Sequence, residues 1–544
     1  MVKTSQKFKN ILNQNLKFSS LNTCSRWAEK IRVMGEPYPG YWSFTYHPWL
    51  RTLHDDNSES IVIQKAAQMG FTEYSLNRAL FTLDVKKRNV LYALPNERPD
   101  ALGFSRGRIN GAMELSEYIE NMFSVSRSES HKITKDNVNL YIRGARSRIC
   151  FKQIDVACVI LDELDEMTES AISLARYRLS GQLEKQLIML STPSVEGVGI
   201  QKQYEDSSQA HYFFPCPSCS KHIELTEPCL VVTAESLTDP NINNSHIVCP
   251  ECGKTLEDRG AAIQNGVWIH TYPERPIRGY HINQLYSSTV SPTDLARQKL
   301  RGQTNVVDMI EYYNSSLGQT YTPEGSQLYD KDINAAMMTK NFTSGDSGQR
   351  RGRLITMGID IGQKNHHLTV VGWTFDPAAQ GKDIIAASSG NLILFKTIED
   401  LREAHDLIQE WQPNSVVLDA QPLFREVMEL VKRYPGLAAA CYYSITKGKE
   451  IRENDGIIHV NRTYFLDSIV NKIKNKTLHL PRDLSLDFRN HLMASIKTFR
   501  RNDKGEVITE FITKSNAPDH YFHSLNYATI ALARRAGSGG NQYL

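Results

Sequence analysis

The sequence predicts an α/β chain of two domains, the first carrying a small cysteine-paired insert. Three observations predict it. Short apolar, β-branched runs alternate with helical stretches in both halves. Two Cys-x-x-Cys pairs interrupt the first half. A polar, glycine-rich, basic stretch at 341–353 reads as a linker between the halves.

At 544 residues the chain is too long for one core. Hydrophobic residues at 40% and charged residues at 23% are ordinary for a soluble globular protein. The net charge of +3 leaves any basic surface a local matter. No apolar run approaches the ~20 residues that span a bilayer, and residues 1–20 are polar and basic without a signal-peptide core. No membrane is therefore expected. Four of the nine cysteines fall in the two pairs, which suits a reducing compartment and a metal site better than a disulfide framework.

Residues 1–44 form an arm or extension with an amphipathic helix expected around 21–34. Trp42, Tyr46 and Trp49 follow, suited to core packing or to stacking on a base. Residues 61–73, Ile-Val-Ile-Gln-Lys-Ala-Ala-Gln-Met-Gly-Phe-Thr-Glu, read as a strand, a tight loop and the start of a helix. A phosphate-binding loop wraps phosphates with backbone N–H groups and neutralises them with a lysine. Here Gly70 and Thr72 stand where that pattern needs them, while Phe71 occupies the usual lysine position and the cation has moved to Lys65. An ammonium on a four-carbon stem reaches the same phosphates from either end of a curled loop. Thr72 would ligate Mg²⁺, and the helix N-terminus adds partial positive charge.

The run 156–163, Val-Ala-Cys-Val-Ile-Leu-Asp-Glu, has the continuous apolarity of a buried parallel strand. It ends in Asp162, suited to hold Mg²⁺, and Glu163, suited to polarise the attacking water. The alternative, a solvated acidic turn, rests on Asp165 and Glu166, which follow at once. Two further runs end at Pro95 and in Ser191-Thr192-Pro193. A phosphate site, a strand ending in Asp-Glu and a strand ending in Ser-Thr-Pro describe a nucleotide hydrolase with a coupling motif. Arg106 and Arg108 read as a solvated helix face or as an arginine that completes an ATP site.

Cys216-Pro-Ser-Cys219 and Cys249-Pro-Glu-Cys252 are spaced to place four thiolates on one tetrahedral, structural Zn²⁺. Cys229, His222 and His246 are not needed to close that shell. This is a zinc ribbon inserted at about 211–256.

After the linker, runs at 354–361, 367–375 and 391–397 read as three successive strands. Helices at 400–411 and 424–434 then alternate with strands at 415–418 and 441–445. A meander followed by parallel strands is the order of a ribonuclease-H-like domain. Asp360 in the first strand and Asp419 ending the fourth would share a metal, and two ions ~3.5–4 Å apart serve phosphodiester cleavage. On the last helix, 518–532, Asp519, His523 and Asn526 fall on one stripe and Phe522, Leu525, Thr529 and Leu532 on another. The first stripe suits the wall of the metal site.

Together these motifs resemble the large terminase subunit of tailed bacteriophages, nearest the lambda-like branch, over roughly 40–535. The resemblance implies an N-terminal P-loop ATPase domain with a parallel sheet (45–340), the inserted zinc ribbon, and a C-terminal ribonuclease-H-like nuclease domain (354–535) before a flexible tail (536–544). It implies an ATP-driven motor that moves double-stranded DNA into a prohead through its portal and a nuclease that cuts concatemers. It also implies a small terminase subunit as partner, a homo-oligomeric working ring and a site of action in the cytoplasm of an infected or lysogenic bacterium. By position, Lys65, Gln68, Gly70, Phe71, Thr72 and Asp162 line the ATP site, Glu163 activates water, and Ser191 and Thr192 couple hydrolysis to movement. Cofactors are ATP, Mg²⁺ (or Mn²⁺ at Asp360, Asp419 and Asp519) and structural Zn²⁺. Two departures stand out. Gln68 replaces a loop arginine, and His523 occupies the position of a second aspartate, so either the histidine ligates metal or Asp519 replaces the carboxylate. Other readings of the same motifs are an ATPase–nuclease fusion of DNA repair or mobile elements, and a nucleic-acid-binding scaffold with both sites inactive.

Overall fold

The computed structural model of the chain describes residues 21–123, 126–338, 343–346, 353–375, 384–444, 448, 450–502, 504–515 and 517–537. Residues 1–20 of the expected arm and most of the expected linker and tail lie outside these residues. Two compact units divide between Tyr321 and Thr322.

In the first unit β1 (Ser60–Lys65), built from β-branched residues, is buried from Ile61 onward and leads into α1 (Phe71–Asp84). Then follow β2 (Val90–Leu94), β3 (Asn139–Gly144), β4 (Cys158–Asp162), β5 (Gln186–Ser191), α2 (Gly199–Glu205), β6 (Ala210–Pro215) and β7 (Arg278–Ile282). They lie side by side in the order β6-β7-β1-β5-β4-β2-β3, every neighbouring pair parallel. Both faces are covered, as a parallel sheet requires. Ile61, Ile63, Ile160 and Leu190 enter the core on the α1 side, while Val62, Val159, Leu161 and Met189 enter a second core with Ile200 and Tyr204. The strand β7, beside β1, carries the mixed pattern Arg-Gly-Tyr-His-Ile that periodicity alone does not single out.

In the second unit β8 (Leu354–Asp360), β9 (His366–Phe375) and β10 (Ser388–Ile398) form the expected antiparallel meander. The strands β11 (Ser415–Asp419), β12 (Ala438–Tyr443) and β13 (Ile457–Val460) then extend the other side of β8 in parallel. β12 begins earlier than its aromatic end suggests, because three buried alanines lead it. A hairpin of Ser495–Arg501 with Val507–Thr513 was not legible in the sequence. The last helix, α3 (His520–Gly537), lies across β8. A side chain at Gly358 would stand 2.0 Å from the Ser524 carbonyl and 2.2 Å from the Ala528 N–H, so glycine alone admits the helix backbone there.

Gly358→Ala is therefore expected to lower stability by about 1–3 kcal/mol or more, since backbone has to move. A fall in the thermal midpoint, followed by circular dichroism, checks it.

Candidate active sites

The candidate nucleotide site lies at the carboxyl ends of β1, β4 and β5. Ile63 is opposite Leu190 and Leu190 opposite Asp162, which puts Lys65 and Asp162 on one face of the sheet. Lys65 is buried, and its Nζ stands 3.3 Å from Glu163 Oε1. The loop between β1 and α1 is shaped by two left-handed residues, Gln68 (φ 61°) and Gly70 (φ 83°). Its first N–H groups are already used: Ala66 donates to the Ile282 carbonyl and Ala67 to that of Ser315. The N–H groups free to face a phosphate are those toward the start of α1. Gln68 is exposed. The Phe71 ring is buried against Tyr74, so at the usual lysine position this residue offers its backbone N–H and not its side chain.

Asp162 is buried and accepts a hydrogen bond of 2.6 Å from the Tyr92 hydroxyl, while its Oδ1 has no partner among the described residues. Burial pushes its carboxyl up to about 6, against the pull of Lys65. A buried acceptor left open beside a lysine and a second carboxylate fits a bound divalent cation. Glu163 holds φ 59°, a left-handed conformation rare outside glycine, and strain of this kind collects at functional sites. Ser191 Oγ accepts from the Asp165 N–H at 3.2 Å and donates to the Thr192 carbonyl at 3.0 Å. Asp165 is not a solvated turn residue. Its carboxylate accepts from Ser194 N and Oγ and from Ile200 N. Trp42 and Trp49 are core residues, Trp49 donating to the Met69 carbonyl, whereas Tyr46 is stacked on Tyr38 with ring centres 4.2 Å apart. Arg108 pairs with Glu73 at 2.9 Å and Arg106 with Glu129.

In the second unit Ile359 is opposite Leu418 in parallel register, so Asp360 and Asp419 are neighbours at the strand ends. Burial, with the like charge of Asp360 added, pushes Asp419 up to about 6. The residue of α3 that meets Asp360 is His520, its Nδ1 2.8 Å from Asp360 Oδ2. The His367 ring is stacked on His520 at 4.8 Å, and its Nδ1 has no partner among the described residues. Asp360, His367 and His520 offer three ligand atoms within 4.8 Å of one another. Asp519 instead accepts from Thr513 Oγ1 at 2.7 Å and Ser495 Oγ at 3.1 Å, and lies 3.3 Å from His523 Nε2. Although burial opposes it, His523 above all, by its hydrogen bond and its charge, and then the Thr513 and Ser495 hydroxyls hold the Asp519 carboxyl well below the usual range. His523 reaches Tyr443 at 2.9 Å and Arg462 at 3.2 Å.

Two family models match the chain: the ATPase domain of the phage terminase large subunit gpA over residues 37–268, and the gpA endonuclease domain over 277–379. The chain belongs to the phage terminase large subunits. Its fold is similar to that of the large terminase of bacteriophage HK97, at 11% identity and a TM-score of 0.54, over 94% of this chain and 98% of that one. The large terminase of a thermophilic bacteriophage matches at 12% identity and a TM-score of 0.28, over 86% of this chain and 93% of that one. The ATPase domain of the Thermus phage P74-26 large terminase matches at 13% identity and a TM-score of 0.31, over 50% of this chain and 92% of that one. No curated protein matches. The terminase is thus an ATPase and a metal-dependent endonuclease, of a family that acts on DNA during packaging. Among the described residues no helix is long and apolar enough to cross a membrane.

The cysteine insert of the terminase forms two matching knuckles. Cys216 N donates to the Lys221 carbonyl and Ser220 N to that of Cys216, and Cys249, Gly253 and Lys254 repeat the pattern. The turns close through Ser220 (φ 62°) and Gly253 (φ 71°). Ser218 N and Glu251 N each point at a cysteine sulfur at 3.4 Å. Cys216, Cys219, Cys249 and Cys252 present their sulfurs within 4.8 Å of one another, the Cys219–Cys249 pair at 3.9 Å. A metal about 2.3 Å from each sulfur fits that spacing. Cys229 stands outside the quartet.

Sequence pattern singled out neither His520 nor His367. His520 had a signal, since it lies one residue after Asp519, but the helix begins later than expected and its phase against the sheet decided which residue faces Asp360. His367 is on β9, opposite Asp360, and only the pairing register reveals it.

Tyr92→Phe removes a hydrogen-bond donor from buried Asp162. Because that bond favours the charged form, its loss raises the Asp162 pKa further above about 6. The acid limb of the ATPase pH profile is expected to move to higher pH, as steady-state rates between pH 5 and 8 would register.

Proposed function

We propose that Lys65 and the N–H groups opening α1 hold the ATP phosphates, Thr72 and Asp162 hold Mg²⁺, and Glu163 orients the attacking water. The observation that carries this reading is the convergence of Lys65, Glu163 and the open Oδ1 of Asp162 at the ends of two strands that flank β5. The bound Mg²⁺ would neutralise charge on the transferring phosphoryl group. Ser191 and Thr192, at the end of the strand between those of Lys65 and Asp162, pass the state of the site to the parts that move DNA. The nuclease metal is held by Asp360 and Asp419, with His520 and His367 supplying nitrogen donors. Those donors favour Mn²⁺ over Mg²⁺ relative to an all-carboxylate set. Asp519 and His523 brace the helix that carries His520. The metal supplies an activated water and charge stabilisation for phosphodiester cleavage.

Under this proposal the enzyme works as a homo-oligomeric ring on a prohead portal, receives DNA from a small terminase subunit, and acts in the cytoplasm of the bacterial host. The four-cysteine cluster holds one structural Zn²⁺.

Lys65→Ala is expected to reduce DNA-stimulated ATP hydrolysis to background and leave metal-dependent cleavage of plasmid DNA intact. Asp360→Ala should do the reverse, and near-normal ATP turnover in Lys65→Ala would overturn the assignment. Metal analysis of the purified chain should find one zinc, absent when Cys216→Ser and Cys249→Ser are combined; full stability without zinc would refute the cluster's role.

A further inference from the structure

Asp165 lies two residues past Glu163 and makes more polar contacts than either carboxylate of the expected catalytic pair. Its Oδ2 accepts from Ser194 N at 2.7 Å and from Ser194 Oγ at 2.6 Å, and its Oδ1 accepts from Ile200 N at 2.7 Å. Its own N–H donates to Ser191 Oγ at 3.2 Å. The two residues it holds flank the Ser191-Thr192-Pro193 segment and open α2. The pocket is shaped for the carboxylate: Gly199 has φ 54°, and a Cβ there would stand 2.3 Å from Asp165 Oδ1.

The contacts continue from Ser194 back to the phosphate loop. The Ser194 carbonyl accepts from Asn314 Nδ2 at 3.1 Å. The next residue, Ser315, accepts from the Ala67 N–H at 2.8 Å, and the Gly318 carbonyl accepts from Gln64 Nε2 at 2.8 Å. Gly318 is itself left-handed, at φ 62°, and a side chain there would collide with the backbone of Lys65 and Ala66. Lys65 closes the ring by its contact with Glu163. Starting from the phosphate loop, the ring runs through the 314–318 turn, Ser194 and Asp165 to Glu163, and returns to Lys65.

We propose that Asp165 is a positioning residue that ties the Glu163 backbone to the Ser191–Ser194 segment, so that the carboxylate acting on water and the coupling segment move as one piece. This deepens the reading of Glu163 and Ser191 given above and rests on it. Asp165 acts through the two segments it joins. A carboxylate can accept all three hydrogen bonds at once. An asparagine cannot, because its NH₂ group would face an N–H donor. A displacement of Glu163 of the order of 1 Å costs up to about 100-fold in rate without weakening substrate binding.

The test is the DNA-stimulated ATPase of the full chain, assayed at a temperature where circular dichroism shows each variant folded. In Asp165→Asn, kcat is expected to fall by on the order of 10- to 100-fold, with the KM for ATP within about twofold of wild type. Gly199→Ala, which crowds the same oxygen but keeps the charge, should fall in the same direction. Ser191→Ala added to Asp165→Asn should lose no more than Asp165→Asn alone, because both break one linkage. A wild-type kcat in folded Asp165→Asn, or multiplicative losses in the double variant, overturns the inference. If Asp165→Asn does not fold, Gly199→Ala decides by the same criteria. Glu163→Gln is the parallel arm: normal turnover there defeats the underlying reading, whereas inactive Glu163→Gln beside normal Asp165→Asn defeats only the role of Asp165.

Discussion

Parallel register is the constraint on which both units depend. Neighbouring parallel strands end on the same side of a sheet, so residues far apart in sequence meet at their carboxyl ends. In the first unit this brings together Lys65, Asp162 and Ser191 from β1, β4 and β5. In the second it makes neighbours of Asp360 and Asp419 from β8 and β11. Slipping any of these pairings by one residue would turn each functional side chain to the opposite face. The register is held because both faces are apolar. Ile63 and Val62, adjacent in the chain, enter different cores, and neither can be exchanged for the other without burying Lys65 or Gln64 in the wrong layer.

Close approach is the second theme. Gly358 lets α3 lie on β8 at backbone distance, which is what brings His520 to Asp360. Gly318 lets a turn rest on the backbone of Lys65 and Ala66, and Gly199 opens a pocket for Asp165. At each position a single methyl group would collide with backbone or with a bound carboxylate. Near the same sites, Gln68 and Glu163 adopt left-handed backbone without being glycine. That conformation carries a cost of order 1–3 kcal/mol, which the surrounding hydrogen bonds must outweigh.

Buried polar groups divide into satisfied and open ones, and the division has functional content. Asp165 and Asp519 are both held by hydrogen bonds, and each ties one segment to another. Asp162 Oδ1 and His367 Nδ1 lack partners among the described residues, one in each candidate metal site. An acceptor removed from water and left open costs stability unless a cation or donor meets it in the working enzyme.

Much of this was legible in the residues themselves. The relocated lysine, the Asp-Glu and Ser-Thr-Pro strand ends, the paired Cys-x-x-Cys motifs and the strand order of the second unit are local patterns, and local chemistry decides turns, thiolate pairs and buried strands. Spacing could not decide which residue of the last helix faces Asp360. Asp519 and His523 share a stripe with each other, yet the phase of α3 against β8, set by the contact at Gly358, delivers His520 instead. His367 entered through antiparallel register, β7 through a neighbour's hydrogen bonds despite its mixed composition, and Asp165 through residues 29 and 35 positions away. The sequence by itself determined which chemical groups are present and the elements that carry them. Tertiary structure decided which groups meet, because pairing register, helix phase and backbone approach are properties of two segments together and are written in neither alone.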